Sequence, residues 1–329
     1  MPTFLLSGEL NSNPIRRCKM DMYDAHFEQL CVQSGIHFER FTKQSTPNNL
    51  TSIREILQPV HHSLTAEELS RKDDMDFGAF WRVHHDSDHG DKMMANLYPL
   101  LVGDSGGDVL VEKNCGMRNL CKFHPALPVA QPHVCDGARQ CDISRRVRED
   151  LGDFIVPMLE GDGPAAPNHF VQFAGQWDCY PRMHRQAVYN GAFGARAMFA
   201  LQNYGRDEPL YDGNAYALTC TYFPSSTFAI YTVHPVRSAS GRTEFQLTRV
   251  KTVSVGSNDA SFNDVSSALR NARDFCEQQR NCLIGTAKAV ADSMASDTVP
   301  AQAPAWLHAM RIQGQTEDLP PPASLGNES

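Results

Sequence analysis

The run His84-His85-Asp86-Ser87-Asp88-His89-Gly90-Asp91 is dense in groups able to ligate a metal. His85 and His89 stand four apart, a spacing that puts two imidazoles on one helical face, as zinc sites use. No Glu completes a zinc-protease motif, and a polar, solvent-facing helix start is the simpler reading. Cys115, Cys121, His124, His133, Cys135 and Cys141 form a second group of soft ligands. Its two Cys-x5-Cys spacings are wider than the Cys-x2–4-Cys of structural zinc, so buried free thiols are expected there. Cys179 with His184 or His169 as base would make a nucleophile pair, but such partners meet only in space. Ser105-Gly106-Gly107 and Gly161-Asp162-Gly163 are glycine turns, without the spacing or the Lys of a phosphate-binding loop.

These residues have to be held by regular elements, and the apolar spacing says which. Met93, Met94, Leu97, Leu100 and Leu101 recur at helical intervals over 88–101. A shorter helix is expected over 22–33, and Thr65 with Glu68 fits a capping box. Short strands are expected over 109–111 and 132–135, and a helix over 142–151 with Arg145, Arg146 and Arg148 on its exposed side. Residues 168–174 alternate as a strand. After Pro181 a long helix runs to about residue 204, and Gly191, Ala192, Gly194, Ala195 and Ala197 let it approach a sheet closely. Strands over 215–223, 228–234 and 244–251 follow, then a helix over 262–291 with Val265, Leu269, Ala272, Phe275 and Leu283 on one side.

Composition narrows the class. The 329 residues are 41% hydrophobic and 21% charged, which suits a folded chain with a substantial core. The net charge of −8 argues against a protein that coats nucleic acid, since phosphate neutralisation needs clustered Lys and Arg. No apolar run reaches the ~18–20 residues of a membrane span, and the first residues lack a basic signal-peptide region. Ten cysteines in a chain of this length, without a secretory signal, are expected to be reduced thiols. An intracellular location, nucleus or cytoplasm, and no membrane partner are therefore expected.

Six segments carry a resemblance: Gln131-Pro132-His133-Val134-Cys135-Asp136-Gly137-Ala138-Arg139, Ala166-Pro167-Asn168-His169-Phe170, Arg185-Gln186-Ala187-Val188-Tyr189-Asn190-Gly191-Ala192, Tyr211-Asp212-Gly213-Asn214-Ala215-Tyr216, Tyr231-Thr232-Val233-His234-Pro235 and Arg270-Asn271-Ala272-Arg273-Asp274. In this order they resemble a PD-(D/E)XK nuclease-like domain of filamentous fungi. The resemblance implies an α/β (α+β) fold with a restriction-endonuclease-like core, a central mixed sheet flanked by helices. It also implies a nuclease-like domain over 63–292, between a poorly ordered arm (1–62) and a disordered tail (293–329).

Such folds cut phosphodiesters with divalent metal held by an Asp and a Glu on adjacent strands. A Lys two residues past the Glu shares its face and steadies the developing charge. At those positions this chain has His133, Gln172 and Ala174. A neutral amide and an imidazole are poor ligands for magnesium, and Ala174 carries no charge. The implied protein is a pseudoenzyme with no metal cofactor that binds DNA, RNA or a protein. The alternatives are a magnesium- or manganese-dependent nuclease with relocated ligands, and a protein-interaction module or effector on the same scaffold. Relocated ligands would come from Asp136, Asp178, Gln172, and Asp88 or Asp91 on the preceding helix, with Arg182 or Arg185 replacing the lost cation. Gln186 and Tyr189, three apart on the following helix, are expected to support the site.

Overall fold

The structure, a computed structural model, describes residues 24–39, 45–58, 79–80, 82–83, 89–103, 110–175, 178–223, 227–255, 259–294 and 304–313. The capping box at 65–68, the ligand run at 84–88 with Asp88, and the glycine turn at 105–107 lie outside them. Along the chain come α1 (Ala25–Gln33), β1 (Ile36–His37), α2 (Leu50–Ile56), α3 (Gly90–Val102), β2 (Leu110–Lys113), β3 (Val134–Ala138), α4 (Arg145–Ile155), β4 (Ala165–Phe173), α5 (Tyr180–Gln202), β5 (Ala217–Phe223), β6 (Thr227–Arg237), β7 (Thr243–Ser254), α6 (Asp259–Met294) and α7 (Ala305–Gln313).

The strands form one seven-stranded mixed sheet in the order β1-β7-β6-β5-β4-β3-β2. β2, β3 and β4 are an antiparallel meander. β5 lies parallel to β4, and α5 is the crossover that a parallel pair requires. β5, β6 and β7 are antiparallel, and β1 closes the far edge parallel to β7.

Period-two alternation sorts the strand residues between two helical layers. Val171, Phe173, Leu218, Cys220 and Tyr222 pack against Met93, Met94, Leu97 and Leu101 of α3 and Val265, Leu269 and Ala272 of α6. Phe170, Ala217, Val233 and Leu247 face α5 and α1 instead. The small residues of α5 do what their size suggests. A Cβ on Gly191 would stand 2.7 Å from Val233 Cγ2, and one on Gly194 would stand 2.6 Å from Phe170 Cε2. Pro181 lies in the first turn of α5, where its missing N–H costs no helical bond. A buried guanidinium anchors the middle of α5. Arg196 donates to the Cys121 carbonyl and lies over the Phe123 ring at 4.0 Å. Burial pulls its pKa down to about 10.

Described residues on either side of the central sheet segments depart from expectation. The described residues between 24 and 58 are no loose arm. Phe27, Ile36, Phe38, Ile53 and Leu57 are all at most 1% exposed, filling the core against α5, β7 and α6. Residues 305–313, expected within a disordered tail, form α7, which buries Leu307 and Met310 and pairs Arg311 with Asp153 at 2.6 Å. Burial of these side chains is worth roughly 1.5–3 kcal/mol each, enough to hold segments too short to be stable alone. Phe38→Ala should therefore lower unfolding free energy by about 3–5 kcal/mol in urea titration, whereas a loose arm would give under ~0.5 kcal/mol.

Candidate functional site

His133, Gln172 and Ala174 lie together at one end of β3 and β4. His133 precedes β3 and stands opposite Gln172 of β4, one step beyond the Val134–Val171 pair. The His133 amide donates to Gln172 Oε1 at 3.2 Å, and the Phe173 amide donates to His133 Nδ1 at 3.0 Å. Each side chain thus satisfies the other strand's backbone. Burial pulls the His133 pKa below its ordinary value, against nearby Asp91 and Asp178, which leaves it the neutral acceptor that the Phe173 amide needs. Ala174 is fully buried with Met183 of α5 and Phe223 of β5.

The first residue of α3 closes this corner. A Cβ on Gly90 would meet the Phe173 carbonyl oxygen at 2.4 Å and His133 Cε1 at 2.7 Å. Only a glycine lets the helix end come that near the strand. Asp91, next along, is exposed and accepts from Asn114 Nδ2 at 3.3 Å. Asp178 accepts from the Gly175 amide at 2.8 Å and pairs with Arg182.

Other expected supports stand elsewhere. Asp136 is fully buried and bonded through Oδ2 to His169 Nδ1 at 2.5 Å, with the Tyr98 hydroxyl 3.5 Å from Oδ1. It is therefore not free to hold a cation, because its carboxylate is committed to His169 in a closed interior. Arg185 reaches away to α1, 3.5 Å from Glu28 and 3.4 Å from the Asp24 carbonyl. Tyr189 is buried among Phe27, Phe123 and Phe193 and donates to the Pro128 carbonyl at 2.9 Å, so its role is in the core. Gln186 is buried on α5, and its Oε1 has no partner among the described residues.

The soft-ligand readings also dissolve. Cys115 and Cys135 are buried, Cys141 is exposed and Cys121 donates to Asp153. Among the described residues no set of three or more His, Cys, Asp or Glu side chains converges to hold a metal. The sulfur nearest His169 is Cys220, 3.8 Å from Nε2, whereas Cys179 is exposed at the start of α5. Asp136, His169 and Cys220 thus line up like a nucleophile triad, but all three are wholly buried. Burial pushes the Cys220 thiol well up, which keeps it protonated and unreactive. The sequence carried a signal for this network. A carboxylate inside a buried strand needs a hydrogen-bonding partner, and His169 is the one ionisable residue of β4.

Comparison with protein families, with curated proteins and with solved structures finds no match to this chain.

Two measurements probe this geometry. Asp136→Ala leaves His169 without its partner in a closed interior and should cost about 3–5 kcal/mol in denaturant unfolding. Acid titration probes the neutral histidines. Burial lowers His133 and takes His234 to about 4. The unfolded chain takes up these protons first, below about pH 6.5, so stability is full above that value and falls as pH drops toward 4. The His234 share of that loss is about 2–3 kcal/mol. His133→Asn, which keeps an acceptor for the Phe173 amide, should flatten the remainder when urea midpoints are compared across pH.

Proposed function

We propose that this chain is a PD-(D/E)XK nuclease-like scaffold, with a restriction-endonuclease-like core, that has given up cleavage and binds a macromolecular partner. The order of elements supports the reading. A helix (α3), an antiparallel meander (β2–β4), a crossover helix (α5) and a parallel strand (β5) bring His133, Gln172 and Ala174 to one corner. The observation that carries it is the state of that corner. Where two carboxylates and a Lys would be needed, a neutral imidazole and a neutral amide are occupied with backbone bonds, and Ala174 packs on Met183 and Phe223. None of these positions offers an anionic oxygen to hold magnesium or manganese beside a phosphate or to lower the pKa of a water.

One observation favours a second reading. Asp91 and Asp178 lie close enough to His133 to bear on its charge, so relocated ligands would come from these two residues rather than from Asp136.

Incubation of the purified chain with single- and double-stranded DNA and RNA, with magnesium or manganese, separates the readings. The expected outcome is no cleavage above that of the same preparation carrying Asp91→Asn and Asp178→Asn. Cleavage abolished by either substitution would establish the second reading and end the first. Binding measured in the same samples at two salt concentrations names the partner class. Affinity that falls steeply with salt marks nucleic acid, because phosphate contacts release counterions. The absence of any such affinity assigns the scaffold to a protein partner.

A further inference from the structure

A cleft of about 690 Å3 opens between the end of α1, the hairpin joining β6 to β7, and α7. Its size falls within the ~300–1,000 Å3 of small-molecule sites. Its lining is unlike the rest of this acidic chain. Arg237 and Arg242 contribute permanent positive charge, and among the described residues no carboxylate lines it. Both arginines are exposed, and neither forms an ion pair among the described residues. Arg145, Arg182, Arg185, Arg249 and Arg311 each have a carboxylate within 4 Å.

The hairpin fixes where the two guanidinium groups start. The Ser238 amide donates to the Arg242 carbonyl at 2.9 Å, and Ser238 Oγ accepts from the Arg242 amide at 3.0 Å. Arg237 lies opposite Thr243, the residue that follows Arg242, so the two arginines leave the two arms of one hairpin. Beside them the cleft has two aromatic rings already held in place. Trp306 Nε1 donates to the Arg206 carbonyl at 2.9 Å, and the Tyr211 hydroxyl is 2.7 Å from Thr243 Oγ1. Both rings also pack on Phe199, at centroid distances of 5.8 and 5.0 Å. Rings that are immobile before binding lose little entropy when a planar ligand lies against them.

We propose that this cleft binds a small organic phosphate with a planar aromatic body, of the nucleoside monophosphate class. Arg237 and Arg242 take the phosphate through their forked N–H donors, a geometry that suits phosphate better than an ammonium does. Tyr211 and Trp306, with Met310, take the ring, and the exposed Ser240 lies within the cleft to bond the sugar. The proposal is independent of the nuclease-like reading, since no residue of the β3–β4 corner lines the cleft.

Calorimetric titration of the full chain with AMP, adenosine and inorganic phosphate tests it. AMP should bind, adenosine and phosphate should each bind more weakly, and added salt should weaken AMP. Arg237→Ala or Arg242→Ala should weaken AMP about tenfold or more while keeping the wild-type thermal transition, because both side chains are exposed. Arg145→Ala, on the outer face of α4, should leave AMP affinity unchanged. No AMP binding at millimolar concentration would overturn the proposal. So would equal AMP affinity in wild type and both cleft variants, or phosphate binding as tight as AMP.

Discussion

Strand β4 is buried along its whole length, between α5 on one face and α3 with α6 on the other. Every polar side chain on it must therefore find its partner inside the protein, since a buried polar group without one costs several kcal/mol. His169 takes Asp136, and Asn168 donates to the carbonyls of Tyr216 and Cys276 while accepting from Arg280. Gln172 takes the His133 amide. These bonds tie β4 to β3, to the approach to β5 and to α6 at once.

The same constraint bears on chemistry at the β3–β4 corner. A carboxylate at position 172 would be an ionised group enclosed by protein, and its charge would need a metal or a Lys to offset it. Gln172 and Ala174 remove both sides of that requirement together. Loss of the cation's position and loss of the anion's position are mutually compatible, whereas either alone would leave a bare buried charge. On the proposed reading, the residues that diverge from a nuclease pattern form a consistent set.

Much of the frame was legible in the sequence because its signals are long and periodic. The α3 stripe of Met93, Leu97 and Leu101, the small residues of α5 and the α6 stripe of Val265, Leu269 and Ala272 all lie where their spacing puts them. The strand expected over 132–135 instead starts at Val134 and runs through Gly137 to Ala138. What the sequence hid was short or non-local. β1 has two residues and α2 has seven, too few to show a period, and their burial comes from partners some two hundred positions away. The Asp136–His169 pair depends on the antiparallel register of β3 and β4, which spacing along one strand cannot express. The cleft over α7 is built from five separated segments, and no local motif announces it.

Helix α6 runs for 36 residues, about 54 Å at the usual rise. Near its start Ser266 and Arg270 both bond the Leu101 carbonyl at the end of α3. Near its finish Leu283, Ile284, Ala287 and Ala291 share a core with Leu307 and Met310 of α7. A single stiff rod thus has one end joined to the helix that caps the β3–β4 corner and the other to the wall of the arginine-lined cleft. The packing at each end therefore bears on where the other end lies, because one continuous helix spans both.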